Sequence, residues 1–103
     1  MKLPEAERLI MSILWDAKRP LTLFEVDEIA RKRYNKKWKI QTIATFMTRL
    51  KKKGFISVDK IERYHYYEAI IKMETYANQE VNDIVTVLFN NDKKCFKTFV
   101  NSL

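Results

Sequence analysis

One stretch of this chain, WKIQTIATFMTRLKKKG from Trp38 to Gly54, constrains the fold more than any other, because it reads as a helix whose two faces have different partners. Ile40, Ile43, Met47 and Leu50 recur at steps of three and four, and with Phe46 at its edge this apolar stripe belongs to a core. On the opposite side lie Gln41, Thr45, Thr48 and Lys52, flanked by Thr42, Ala44 and Arg49. That surface carries short hydrogen-bonding side chains and cations but no carboxylate, which suits a polyanion. Gln, Thr and Arg reach base edges or phosphates from a helix laid in a major groove about 12 Å wide. Taken alone, the pattern also fits a merely solvated helix face.

Charge distribution sharpens the choice. Arg31 to Lys53 holds ten of the twenty Lys and Arg residues and no Asp or Glu, so the rest of the chain, with ten basic and thirteen acidic residues, nets −3 against +7 for the whole. Cations gathered on one stretch of an otherwise acidic chain are what phosphate neutralisation and counterion release require. Binding to a membrane surface is the rival reading. It needs bulky apolar residues interleaved on the exposed face, and this stretch offers only Tyr34 and Trp38.

A chain of 103 residues with 47% hydrophobic and 32% charged residues fits a soluble globular protein able to bury a core without staples. Cys95 is the single cysteine, so no internal disulfide forms. No Cys/His cluster has metal-ligand spacing, and neither metal nor cofactor is expected. No apolar run approaches the roughly 20 residues of a membrane span and no signal-peptide core opens the chain, so the expectation is a cytoplasmic protein without membrane insertion.

Along the chain, Pro4 with Glu5 and Glu7 opens a first helix, and Ala6, Leu9, Ile10, Ile13 and Leu14 line its apolar face to about Ala17. Trp15 beside that stripe reads as core or hinge packing. Pro20 breaks the helix, and Thr22 with Glu25 three residues on forms a capping box for a second one, with Val26, Ile29 and Ala30 inward. This helix frays into the basic run 31–39, which holds a turn. Gly54 stops the central helix after three lysines suited to its negative end. Phe55 to Asp59 and Tyr64 to Ala69 then read as two strands, with Lys60 to Arg63 as the tip between them. Three helices and a ribbon are the order of a winged helix-turn-helix domain, in which the third helix enters the major groove. From Met73 a helical period returns through Ala77, Val81, Ile84, Val85 and Leu88, is interrupted at 90–92, and resumes with Phe96, Phe99, Val100 and Leu103.

The expected fold is therefore mostly α with a small β ribbon (α+β), a winged helix over residues 1–71 followed by a helical dimerisation region over 72–103. The alternative for that tail is folding back on its own winged helix.

Three motifs together, PEAERLIMSILW at 4–15, WKIQTIATFMTRLKKKGFI at 38–56 and RYHYYEAI at 63–70, resemble the penicillinase and methicillin-resistance repressor family, which includes copper-responsive repressors. Trp38, Thr42, Ile43, Thr45, Thr48, Arg49, Leu50 and Gly54 match the family's central-helix pattern. Lys39, Ile40, Gln41 and Ala44 depart from its Ser, Pro, Lys and Arg, which bears on which bases are read. The resemblance implies a dimeric repressor with an N-terminal winged helix and a C-terminal helical dimerisation region, acting on a palindromic double-stranded DNA operator. In the antibiotic-resistance branch it also implies a membrane sensor protease as partner. The copper branch's C-terminal cysteine cluster is absent, which argues against metal sensing.

The candidate residues follow. Gln41, Thr42 and Thr45 are expected to contact bases, and Lys39, Thr48, Arg49, Lys51, Lys52, Lys60 and Arg63 phosphates. Ile84, Val85, Leu88, Phe96, Phe99, Val100 and Leu103 are expected at the dimer interface. His65 reads as a ribbon side chain, because no Cys, Asp or Glu stands at a ligand spacing from it. Tyr64, Tyr66 and Tyr67 read as packing with at least one inward, and Cys95 as a small core residue. A winged-helix module for RNA or protein contact is the alternative function. An enzyme is not expected, since no acid/base pair, phosphate-binding Gly loop or metal constellation is present.

Overall fold

The computed structural model describes residues 2–103. They form α1 (Glu5–Ala17), α2 (Leu23–Tyr34), α3 (Ile40–Lys52), β1 (Ile56–Ile61), β2 (Tyr64–Ala69), α4 (Met73–Leu88) and α5 (Lys93–Asn101). This is the α+β order of a winged helix followed by C-terminal helices. The chain divides into two compact units, one of them Leu3–Met73 and the other built on Glu74–Leu103.

In the first unit, α1 starts after Pro4 with Glu5 and Glu7 in its first turn and stops at Lys18, whose φ of 56° turns the chain left-handed. Its buried side is Ile10, Met11, Ile13 and Leu14, with Ala6 and Leu9 only half-buried. The stripe thus includes Met11, which the sequence spacing passes over. α2 is opened by the expected capping box: Glu25 N–H donates to Thr22 Oγ1 at 3.2 Å and Thr22 N–H donates to Glu25 Oε1 at 3.0 Å. It remains helical through Arg31, Lys32 and Arg33 to Tyr34, and ends at Asn35 with φ 53°. The turn is therefore confined to 35–39 rather than fraying from Arg31, and Asn35 closes the helix with its N–H on Ala30 O and Arg31 O.

α3 buries Ile43, Met47 and Leu50 and ends in a Schellman arrangement. Gly54, with φ 81°, donates its N–H to Lys51 O, and Phe55 N–H reaches back to Leu50 O, each at 3.0 Å. Phe55 and Leu50, the two positions whose apolar side chains usually accompany this cap, are both buried. β1 and β2 pair antiparallel from Ile56↔Ala69 to Ile61↔Tyr64. The ribbon runs two residue pairs further than the sequence predicts. Lys60 and Ile61 lie in the strand, and only Glu62, at φ 58°, and Arg63 make the turn. The cross-strand pairing of β-branched Ile61 with Tyr64 accounts for the extension. Leu21 adds a third backbone, exchanging hydrogen bonds of 2.9 and 2.8 Å with Tyr67. Tyr67 is thereby buried, Tyr66 half-buried and Tyr64 exposed.

Leu21, Val26, Ala30, Ile43, Met47, Leu50 and Ile56 complete the core of this unit at no more than 2% exposure each. At about 1.5–3 kcal/mol for each large aliphatic side chain buried, these contacts are what hold α3 against the other helices and the ribbon. Trp15 packs as expected and donates its Nε1–H to Ile71 O at 2.8 Å, tying α1 to the chain leaving β2.

In the second unit, Asn90 and Asn91 take positive φ, and Asp92 caps α5 by accepting Cys95 N–H at 3.0 Å. The Phe89 ring lies 5.4 Å from those of both Phe96 and Phe99. Cys95 is exposed, which corrects its reading as a core residue. It stands about 100° round the helix from the stripe of Phe96, Phe99 and Val100. Among the described residues no helix is long and apolar enough to cross a membrane.

Candidate nucleic-acid interface

The face of α3 opposite its buried stripe is open. Gln41, Thr45, Thr48 and Lys52 are exposed along one line, with Arg49 and Lys51 exposed beside it and Thr42 and Ala44 half-buried at its edge. The expected base-contacting residues therefore share one helix face, Thr42 lying at its margin. Lys39 stands exposed at the N-cap position, and no side chain caps this end of α3. Its first N–H groups, at the positive end of the helix dipole, are left to solvent or an anion.

Two of the threonines, Thr45 and Thr48, are not free hydroxyls. Thr45 Oγ1 donates to Gln41 O at 3.0 Å and Thr48 Oγ1 donates to Ala44 O at 3.1 Å. Each hydroxyl proton is turned back onto the helix backbone, so Gln41 is left as the neutral donor of the stripe.

Ion pairing divides the basic run in two. Arg31 pairs with Asp27 at 2.9 Å, Lys32 with Glu28 at 3.3 Å and Arg33 with Asp16 at 2.7 Å, and Tyr34 first and Asp16 second raise the Arg33 pKa. Lys53 turns inward to a 2.6 Å contact with Glu7, a carboxylate only 2% exposed. Among the described residues, Lys36, Lys37, Lys39, Arg49, Lys51 and Lys52 have no such partner, and they are exposed. Sequence reasoning did not single out Lys36 and Lys37, although the acid-free window contained them. It also credited the run with four cations whose charge is already answered within the chain.

Tyr34 and Trp38, the aromatics of this stretch, are half-buried. The Tyr34 hydroxyl shares a 2.8 Å hydrogen bond with Ser12 Oγ, and the Trp38 ring meets Phe46 edge-on at 5.5 Å. They are packing groups rather than an apolar membrane anchor. On the ribbon, Lys60 is exposed opposite His65 and Arg63 is exposed in the turn. Among the described residues, no group of three or more His, Cys, Asp or Glu side chains is placed to hold a metal ion.

Of the seven expected interface residues, Ile84, Leu88, Phe99, Val100 and Leu103 are exposed, Leu88 at 71% and Leu103 at 88%. Phe96 is half-buried beside Phe89. Val85 is only 5% exposed, so it is already covered within its own chain, where helical spacing alone had set it among the residues left over.

A comparison with curated proteins gives no match. The sequence model of the penicillinase repressor family, by contrast, matches residues 3–103, and the chain belongs to that family of DNA-binding transcriptional repressors.

Proposed function

We propose that the chain represses transcription as a cytoplasmic homodimer on a palindromic duplex operator, with α3 of each copy in a major groove. The observation that carries this reading is the α3 face itself. Gln41, Thr45 and Thr48 lie in line on one helix face, bordered by Lys39, Arg49, Lys51 and Lys52, whose charge no carboxylate among the described residues answers. Gln41, Thr42 and Thr45, in the N-terminal half, are the base-contacting set. Lys39, Arg49, Lys51, Lys52, Lys60 and Arg63 are the phosphate-contacting set, to which Lys36 and Lys37 are added, while Thr48, its proton already given to Ala44 O, donates to no phosphate. The family resemblance supplies the dimer and the palindrome, and the exposed apolar residues of α4 and α5 supply a surface for the dimer. By the same resemblance, the partner that lifts repression is a membrane sensor protease; a tail that stays intact on induction removes that partner.

Selection of bound sequences from a random duplex library tests the reading. Recovery of a palindrome with half-sites about one helical turn, roughly 34 Å, apart is the expected result. Enrichment of no sequence, with binding lost above about 150 mM salt, would instead identify a non-specific phosphate binder.

A further inference from the structure

The two hydroxyl groups that α3 turns back on itself determine what its recognition face can read. Thr45 Oγ1 and Thr48 Oγ1 donate to the carbonyls of Gln41 and Ala44, one turn earlier. With the oxygen of each side chain held against the backbone, the remaining branch, the Cγ2 methyl, faces away from it. Ala44, half-buried at the edge of the face beside Thr48, adds a third methyl. The middle of an otherwise polar and cationic face is thus a small methyl cluster, and a base has no hydroxyl proton to accept there.

Among the four bases, thymine alone presents a methyl group in the major groove, and Ala and Thr methyls are its usual apolar contacts. Resting on the reading that α3 occupies that groove, we propose that Thr45, supported by Ala44 and Thr48, selects thymine by contact with its 5-methyl group, while Gln41 supplies the hydrogen-bonded discrimination. Thr45 then acts as a specificity residue through its carbon branch, and its hydroxyl only fixes the rotamer.

The test uses the full-length protein and a duplex it selects, with each thymine of a half-site replaced in turn by deoxyuridine, which removes the methyl and leaves every hydrogen-bonding group in place. At one position the wild-type protein should lose affinity by about four-fold per half-site, the worth of one buried methyl-sized group. Thr45→Ser, which keeps the hydroxyl and lacks the methyl, should bind the thymine and deoxyuridine duplexes equally. Thr45→Val, which keeps a methyl and lacks the hydroxyl, should still discriminate between them. If no deoxyuridine position weakens the wild type, or if Thr45→Ser discriminates and Thr45→Val does not, the methyl reading is overturned. Gln41→Ala separates this failure from failure of the parent reading. An altered base preference in that variant keeps α3 in the groove whatever Thr45 does, and an unchanged profile removes α3 from the groove and the inference with it.

Discussion

Lys52 and Lys53 are neighbours in sequence with opposite roles. Lys52 is exposed with no ion-pair partner among the described residues, while Lys53 reaches the buried Glu7 carboxylate and closes the end of α3 onto the start of α1. Removing Lys53 leaves a carboxylate that is almost fully buried without its counter-ion, an error that costs about 3–5 kcal/mol when both partners are buried and less here, because Lys53 is 27% exposed. Lys53→Ala should therefore destabilise the fold by about 2–3 kcal/mol in urea unfolding, against within about 0.5 kcal/mol for Lys52→Ala. Equal midpoints for the two variants would show that the ion pair is not a structural tie. On DNA the order reverses. Lys51→Ala, Lys52→Ala or Arg63→Ala should each lower the slope of log affinity against log salt by about 1 while leaving base preference alone. A change of preference at one base pair with an intact slope would contradict the phosphate assignment. The sequence shows a run of three lysines before Gly54 and gives no sign that the last is engaged, because its partner lies far away in the chain.

At the scale of elements, what was legible was what is local. Thr22 and Glu25 sit three residues apart and make both hydrogen bonds of the capping box, and Gly54 stops α3 in the conformation glycine favours. Thr22→Ala should cost about 1 kcal/mol of stability. The Glu25 carboxylate is held below its usual pKa, first by the Thr22 backbone N–H and next by Arg19. A carboxyl whose pKa is lower folded than unfolded stabilises the fold fully above the unfolded value, about 4.3, and that contribution disappears as pH falls through the folded value. The difference in unfolding midpoint between wild type and Glu25→Gln should accordingly be larger at pH 6 than at pH 3; a gap that does not change with pH would mean the cap does not use the charge. What was not legible was long-range. Nothing near Leu21 announces that it bridges Tyr67, and the paired tip residues Lys60 and Ile61 look like a polar loop until Tyr64 and His65 stand opposite them. The open face of α3 was readable from spacing. The commitment of Thr45 and Thr48 hydroxyls to the backbone was not, since a threonine in sequence carries no record of its rotamer.

For the whole molecule, the proposed repression on a palindrome would depend on joining two winged helices. One alone has the weak, largely non-specific affinity that phosphate contacts provide, on the order of 10⁻⁴–10⁻⁶ M at physiological salt. A short tether raises the effective concentration of the second to the millimolar range, which multiplies affinity by orders of magnitude. The surface able to supply the tether lies in the second unit, where Ile84, Leu88, Phe99, Val100 and Leu103 are exposed and Val87 joins them at 64% exposure, while Val85 is spent inside the chain. A stable contact needs about 800 Å² from each partner, more than one helix turn provides, so the test charges one residue of α4 and one of α5. Charging both, with Leu88→Glu and Leu103→Glu together, should convert the protein to a monomer in sedimentation velocity. Because both positions are largely exposed, the unfolding midpoint of the Leu3–Met73 unit should not move. The variant should bind a palindromic duplex without cooperativity and at least a hundred-fold more weakly than wild type. Truncation after Ile71, which keeps the carbonyl that Trp15 holds, should give the same monomeric behaviour. Sedimentation of the unmodified chain as a monomer at high micromolar concentration, with tight operator binding intact, would sink the dimer and leave α4 and α5 without a role in repression.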